Sequence, residues 1–513
     1  MKTRVLFILA LFCVTASLSA QTLNEDIMLI SGASSMEELD GSILEKLEDL
    51  AERPVPINTS SRSRLLSCGL FSSFQVASLI DYRERCGDIL SIAELAAVDG
   101  FNEAVAGALR HFVSLESGRS PGEAARRDAH CGELQAKGGI SGEKWSAGAK
   151  VKYEYGERFS ASAAWKGKFS GAMEYHSKNQ NLTIIAGDFA ARFGQGLAQW
   201  SGFSLSGYTS ISSFIKKGSG IASAWTFSPD NYLRGAAAVW EKGADEASIY
   251  ATLDRQAGAR YARYWRAGQA GATMLYDGKG GGKAAADGRF SAEGFDVFGE
   301  ACFDFPQKQF TLCAGTIWNA SYDFQAAARF SYGKSKPAAS AAVRYKAHFI
   351  SFEAGPTRLR FLATSTITPG RSLSLAFRLC ETVKTSEPVK HEFRADLFRD
   401  TAPLGFALRA NLAFCKAIAQ LYYAETAFKT QKIAIYARLT GFRIKNWEDR
   451  IYAYERNAPG SFSVPAYYGT GIATSIYASM KLKYMKFYLR GEYQISDRNS
   501  GKFGLSASCV IKI

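Results

Sequence analysis

Beyond residue 20 this chain has no run of about 18 apolar residues, so nothing in the mature sequence is built to cross a bilayer as a helix. Cysteine is sparse. Eight remain after residue 20: Cys68, Cys86, Cys131, Cys302, Cys313, Cys380, Cys415 and Cys509. None forms a CxxC pair or falls at metal-ligand spacing, which excludes a disulfide framework and a zinc site. Cys68 and Cys86 sit at opposite ends of a predicted helix, roughly 20 Å apart at 1.5 Å per residue. That is beyond the ~7 Å Cα separation a disulfide tolerates. The five histidines lie in no HExxH pattern, and neither a GxSxG elbow nor a Walker-type loop occurs. With no acid–base or nucleophile constellation, the expectation is a non-enzyme with no cofactor and no metal. His176 and Asp188, on adjacent predicted strands, sketch the one conceivable hydrolase site. The ordinary reading of both is lumen-lining polar residues.

What is present begins with an export signal. Lys2 and Arg4 precede the short apolar run Val5 to Val14, and Leu18-Ser19-Ala20 ends in a small residue. Residues 1–20 are expected to be removed before Gln21. An exported chain without a spanning helix can enter a membrane only as a closed barrel.

From residue 133 to 513 the sequence reads as strand after strand with a period of two. In Ala149-Lys150-Val151-Lys152-Tyr153-Glu154-Tyr155 the apolar groups fall on odd positions and the charges on even ones. Phe295, Val297, Phe303 and Phe305 alternate with Asp296, Glu300 and Asp304. Leu404, Leu408 and Leu412 follow the same rule, as do Ile433, Ile435 and Leu439 against Tyr436, Arg438 and Thr440. Such strands are too many and too charged on their polar face for a soluble sandwich. They suit a transmembrane barrel with its apolar face on lipid and its polar face on a lumen. The fold class expected is therefore mainly β, a large antiparallel outer-membrane barrel, preceded by a small all-α domain. At roughly 20 residues per strand and turn the count is about 16 to 20, with 18 at the centre. Aromatic residues, 13% of the chain, supply interfacial girdles. Asn179-Gln180-Asn181, Asp277-Gly278-Lys279-Gly280 and Asp497 to Gly501 read as turns. Gly118 and Pro121-Gly122 mark residues 116–132 as a linker.

Charge separates the two parts. Residues 21–115 carry 7 basic and 15 acidic residues, a net of −8, while residues 116–513 carry +20. A basic lumen or rim favours anionic partners.

The acidic part is helical. Ser35 followed by Glu37 and Glu38 predicts a helix start, and Ile43, Leu44, Leu47 and Leu50 recur at helical spacing until Pro54 and Pro56. Residues 21–53 form this segment. Further helices carry Leu65 and Leu66, then Val76 to Tyr82 closed by Gly87, then Ile92 to Val98, then Val105 to Phe112. Ile57-Asn58-Thr59, Leu65-Leu66, Asp81-Tyr82-Arg83-Glu84-Arg85 with Gly87, and Val98-Asp99-Gly100 resemble the tandem helix-hairpin-helix domain of the competence DNA receptor ComEA, over residues 54–115. In that family each hairpin reads roughly Pro-Gly-Ile-Gly, and its amides grip a DNA phosphate. Here the first hairpin is Gly69-Leu70-Phe71-Ser72, with Leu70 and Ser72 at the glycine positions. The second, Asp99-Gly100-Phe101-Asn102, keeps one glycine. Leucine hinders the backbone approach that glycine permits, and 5 basic against 6 acidic residues is not the balance of a DNA binder. The resemblance marks Arg62, Arg64, Gly69, Ser72, Arg83, Arg85, Gly100 and Asn102 as candidate contacts for nucleic acid or a protein partner.

The whole layout resembles a group of Gram-negative outer-membrane proteins that join a helix-hairpin-helix region to a large barrel. Arg192-Phe193-Gly194-Gln195-Gly196-Leu197, Arg450 to Glu455 and Ser461 to Pro465 look like that group's recurring segments. The function expected is a non-enzymatic barrel in outer-membrane lipid, whose helical domain, in the periplasm, docks a protein partner to a channel or assembly site. DNA uptake is the alternative, and a barrel-embedded hydrolase the third.

Overall fold

The computed structural model describes residues 23–39, 41–116, 130–177, 180–205, 207–292, 294–321, 323–333, 336–369, 373–385, 387–461 and 463–512. The signal segment and most of the linker lie outside them. Neighbouring strands pair antiparallel, and the last, Asn499–Lys512, pairs with the first, His130–Ser141, from Gly504↔Ser141 to Lys512↔Glu133. The sheet is thereby a closed barrel, and among the described residues no wall strand is left with an unpaired edge.

Among the described residues the wall has 24 strands. A short extra strand, Gly220–Ser223, pairs only with Leu182–Arg192. The expected 18 is corrected to 24. The allowance of 20 residues per strand and turn was too generous. His348–Ala354 has seven residues, Asp245–Thr252 has eight, and a single residue, Gly167, links Phe159–Lys166 to Lys168–Ser177. The alternation is as expected. Val151, Phe295, Val297, Leu408 and Ile435 are exposed outward, whereas Lys150, Asp296, Glu300 and Arg438 are buried on the inner face. Exposed tryptophans sit near both rims, Trp145 and Trp165 at one, Trp240, Trp265 and Trp318 at the other.

The helical region contains α1 (Leu23–Ser31), a 3₁₀ turn (Met36–Glu38), α2 (Gly41–Glu52), α3 (Arg62–Ser67), α4 (Ser73–Cys86), α5 (Ile92–Ala96) and α6 (Glu103–Leu109). The helix expected to start at Ser35 starts at Gly41. Ser35 is extended and makes no capping bond; its hydroxyl accepts from Arg378 of the wall at 3.1 Å. The two later hairpins share a capping position but not the position of the glycine. Gly69 and Gly100 adopt positive φ (74° and 84°), and Ser72 and Asn102 cap the next helices through Gln75 N–H and Val105 N–H. Phe71 and Phe101 meet edge to face at 5.9 Å. Asn58 clamps the unit, bonding Ile89 through both its amide atoms and donating to Leu115. Leu65, Val76, Leu79, Leu95, Leu109 and Phe112 share one apolar core with Ile27 and Leu47 of α1 and α2.

This core is continuous, with Leu205 and Tyr454 from outside the region packed against it, and its position is not the one expected. The helical region touches Lys150, Glu246, Arg289, Asn319, Arg378, Arg409 and Lys512, on strands spread around the circumference. Only a body inside the cylinder can do so. The expectation of a helical domain in the periplasm did not include this placement: the region is lodged in the lumen.

Candidate functional site: the occupied lumen

Two long connections turn inward to hold the helical region. The first, residues 193–232, begins where Leu182–Arg192 leaves the wall. Gly187 (φ 105°) marks the bend, and a side chain there would collide with the Gly171 carbonyl. Glu300 of the wall accepts from the amides of Gln195, Leu197 and Ala198 at 2.6–3.1 Å, fixing the Arg192 to Leu197 segment. The far side of the loop reaches the helices. Ser210 donates to the Gly32 carbonyl at 2.8 Å, Lys217 to the Ile30 carbonyl at 2.6 Å, and Ser73 N–H to the Gly218 carbonyl at 2.9 Å. The second connection, residues 445–468, is folded by Asp449, which accepts from the amides of Cys415, Lys416 and Ala417 at 2.8–3.0 Å. Its Tyr454 N–H donates to Glu37 at 3.1 Å. Of the segments singled out from the sequence, Arg450 to Glu455 reaches the lumen's occupant through Tyr454, whereas Arg192 to Leu197 anchors to the wall a loop whose later residues make the contact. Both enter from the rim opposite to the two chain-end strands.

The remaining grip is ionic. Glu37 takes Arg409 and, at 3.2 Å, Arg394; Glu38 takes Arg378 at 2.9 Å. Burial opposes ionisation of both carboxyls. Arg409 and Arg394 nevertheless hold Glu37 well below the usual carboxylate range, and Arg378 lowers Glu38. Along α2, Glu45, Asp49 and Glu52 lie on one face, four and three residues apart. Glu45 pairs with Lys150 at 2.9 Å, Asp49 with Lys512 and Glu52 with Lys486. Those lysines belong to strands on both sides of the junction between first and last strand, so α2 lies across the seam. Arg62 of α3 is buried against Glu241 and Glu246 at 3.0 and 3.1 Å. The acidic partner of the basic lumen is the chain's own helical region.

The chain is a closed, plugged antiparallel barrel with an apolar outer face. No family model matches it. Over 67 residues it is 36% identical to the endonuclease/exonuclease/phosphatase family domain-containing protein 1 of Rattus norvegicus, a match covering 13% of this chain and spanning only 12% of that protein's length. Solved structures similar to it include the P pilus usher (PapC) translocation pore, at 7% identity over 75% of this chain and 99% of that one, with TM-score 0.38. The FrpB iron transporter of Neisseria meningitidis aligns at 8% identity over 75% and 81%, with TM-score 0.40. OprD of Pseudomonas aeruginosa aligns at 6% over 75% and 94%, with TM-score 0.33.

The plug divides the sequence candidates into two groups. Arg62, Ser72, Gly100 and Asn102 face inward. Ser72 lies 3.4 Å from the Arg289 guanidinium, Asn102 donates to Asn319 at 3.4 Å, and the Gly100 carbonyl accepts from Gln75 at 2.9 Å. Arg64, Gly69 and Arg85 are exposed; Arg85 pairs with Asp81 and Arg83 donates to the Ser60 carbonyl. The structure therefore does not gather these residues on one surface. His176 bonds Thr183 at 3.0 Å, while Asp188 bonds Arg234 and Gly171 N–H, so the sketched hydrolase pair belongs to two separate networks. The eight cysteines are free, and no cluster of three or more His, Cys, Asp or Glu suited to a metal occurs among the described residues. The residues that sequence reasoning missed are Glu37, Glu38, Arg378, Arg394 and Arg409. The available signal was a pair of adjacent acids ahead of a helix that does not need them as caps.

Two cavities flank the plug. One of about 450 Å³ adjoins the Glu37 contacts and is lined by Arg289, Arg378, Arg438, Arg456, Tyr423 and Tyr436. The other, about 1220 Å³, separates α2 and α3 from the wall near Lys150, Lys152, Glu174 and His176.

Proposed function

We propose that this protein is a gated, non-enzymatic outer-membrane transport barrel, closed in the state described and opened when its helical region is displaced by a periplasmic protein partner. The observation that carries the reading is the contrast between the plug's two interfaces. Its own core is apolar and continuous, whereas its contacts with the wall are ion pairs and polar bonds. Polar interfaces of this kind characterise bodies that move against each other. The rim bearing the two long loops is the extracellular one, since outer-membrane barrels keep short turns on the periplasmic side. The plug then closes the periplasmic mouth, where Ser61 N–H meets Glu157 in a short turn. The end of α4 and the start of α5 present Arg85 and Leu90, the latter 73% exposed, as the docking face. The paired hairpins, with their capping Ser72 and Asn102 and the Phe71–Phe101 contact, support a helix-hairpin-helix scaffold used for protein docking. In the seated state the hairpin loops touch the wall, so DNA contact through them requires the plug to leave.

Planar-bilayer recording tests the reading. The intact protein is expected to conduct little, and a chain lacking residues 23–116 to form large, steady pores. Equal conductance of the two would show that the plug does not close the barrel.

A further inference from the structure

We infer that the wall socket filled by Glu37 and Glu38 is a ligand site of the barrel, and that its ligand is an acidic peptide with adjacent carboxylates. The inference rests on the displaceable plug proposed above and names what binds once the plug has moved.

The donors of the socket belong to the barrel, not to the plug. Arg378, Arg394 and Arg409 come from the successive strands Leu373–Lys384, Glu387–Arg399 and Leu404–Phe414, and the Tyr454 N–H from the second inward loop. The socket is held in shape by wall residues as well. Asp396 lies between Arg394 and Arg409, at 2.9 and 2.5 Å from their Nε atoms, and the Tyr423 ring lies 5.0 Å from the Arg409 guanidinium. Withdrawal of the plug therefore leaves a preorganised site rather than a collapsed one.

The charge count fixes the class of ligand. Among the described residues, Arg360, Arg378, Arg394 and Arg409 pair with two wall carboxylates, Glu353 and Asp396. Two positive charges remain for the occupant, and Glu37 with Glu38 supplies two negative ones. The contacts also extend beyond charge. Arg378 donates to the hydroxyls of Ser34 and Ser35 at 3.0 and 3.1 Å, so the socket reads a stretch of peptide rather than two isolated carboxylates. The neighbouring 450 Å³ cavity, with Arg438 and Arg456 on its wall, gives a longer acidic segment room to continue. Ser34 to Leu39 is thus an internal copy of the ligand, holding the site until a competing segment arrives.

The test uses the full chain in detergent and a fluorescent peptide Ser-Ser-Met-Glu-Glu-Leu, read by anisotropy. A tethered occupant acts at roughly millimolar effective concentration, so vacating the socket by Glu37→Gln/Glu38→Gln is expected to tighten peptide binding by at least about tenfold over wild type. The gain is expected to vanish with Arg394→Gln/Arg409→Gln added, and the Gln-Gln version of the peptide is expected not to bind. Equal binding of the two peptides, equal binding of free glutarate, or no gain in the vacated variant would each overturn the inference. If the double variant loses the gel heat-shift of a closed barrel, Glu38→Gln alone is measured against the same criteria. Bilayer conductance of the same variants separates the two claims. Open pores that bind no peptide refute the socket and leave the plug standing; a variant that binds peptide but never opens refutes the gate.

Discussion

Neutralising the two plug carboxylates is the most informative perturbation of this structure. Three charged bonds cross from Glu37 and Glu38 to the wall, two to Arg409 and Arg394 and one to Arg378. A hydrogen bond to a charged group contributes about 1.5–3 kcal/mol net. The lower figure applies here, because Asp396 still pairs with Arg394 and Arg409 after the change and neither guanidinium is stranded. Glutamine also keeps one acceptor oxygen in place. Glu37→Gln/Glu38→Gln is therefore expected to weaken seating by about 4–5 kcal/mol, three bonds at the lower value. At 1.4 kcal/mol per decade, the ratio of closed to open barrels falls by roughly 10³. The assay is single-channel recording of the intact protein, scored as the fraction of time open. Glu103→Gln serves as control for loss of a plug carboxylate as such, since Glu103 is exposed. A change of less than about tenfold in open fraction, in a variant that still shows the heat-shift of a closed barrel, would refute the argument that these bonds carry the latch.

Three further outcomes are expected. Glu48 of α2 is pushed by burial up to about 7 despite Arg456, from an ordinary 4.5; the unfolded chain sheds this proton first, so seating weakens as pH rises from about 4.5 through 7. Glu48→Gln should accordingly stabilise the plug against protease at pH 8 and have little effect at pH 5; a larger effect at pH 5 would contradict the sign. Gly100→Ala forces a left-handed φ of 84° on a residue whose new Cβ would meet the Phe74 ring at 2.8 Å, and is expected to cost the plug about 2–4 kcal/mol, measured by urea titration of plug protection. The intact protein in detergent should bind duplex DNA no tighter than about 10⁻⁴ M at physiological salt, and micromolar binding with a steep salt slope would revive the uptake reading.

The barrel was legible because its signal is local: each strand announces lipid and lumen faces through its own alternation, as Phe295 to Asp304 does without help from neighbours. The strand number was less legible, since turns of one or two residues such as Gly167 leave little punctuation. The helices from Arg62 to Leu109 followed from caps and periodicity, with Gly87 and Asn102 at their ends. What could not be read was where the helical region sits. That depends on pairs separated by hundreds of positions, such as Glu37 with Arg409 and Arg62 with Glu246, for which a single sequence offers only the opposite net charges of its two parts. The same limit hid the role of Tyr454, whose partner Glu37 lies hundreds of positions away.

The α2 helix lying across the seam has a consequence for the order of events during biogenesis. Lys512 is in the last strand of the wall, and its partner Asp49 is in α2, far earlier in the chain. The socket for α2 exists only when the terminal strand has zipped to the first, and the zipped pair in turn gains Glu45, Asp49 and Glu52 as a clasp over its join. Closure of the terminal hairpin and seating of α2 are therefore expected to be coupled: a chain without residues 23–116 should still complete its cylinder, but more slowly than the intact one. Seating of α2 would then report that the first and last strands have met.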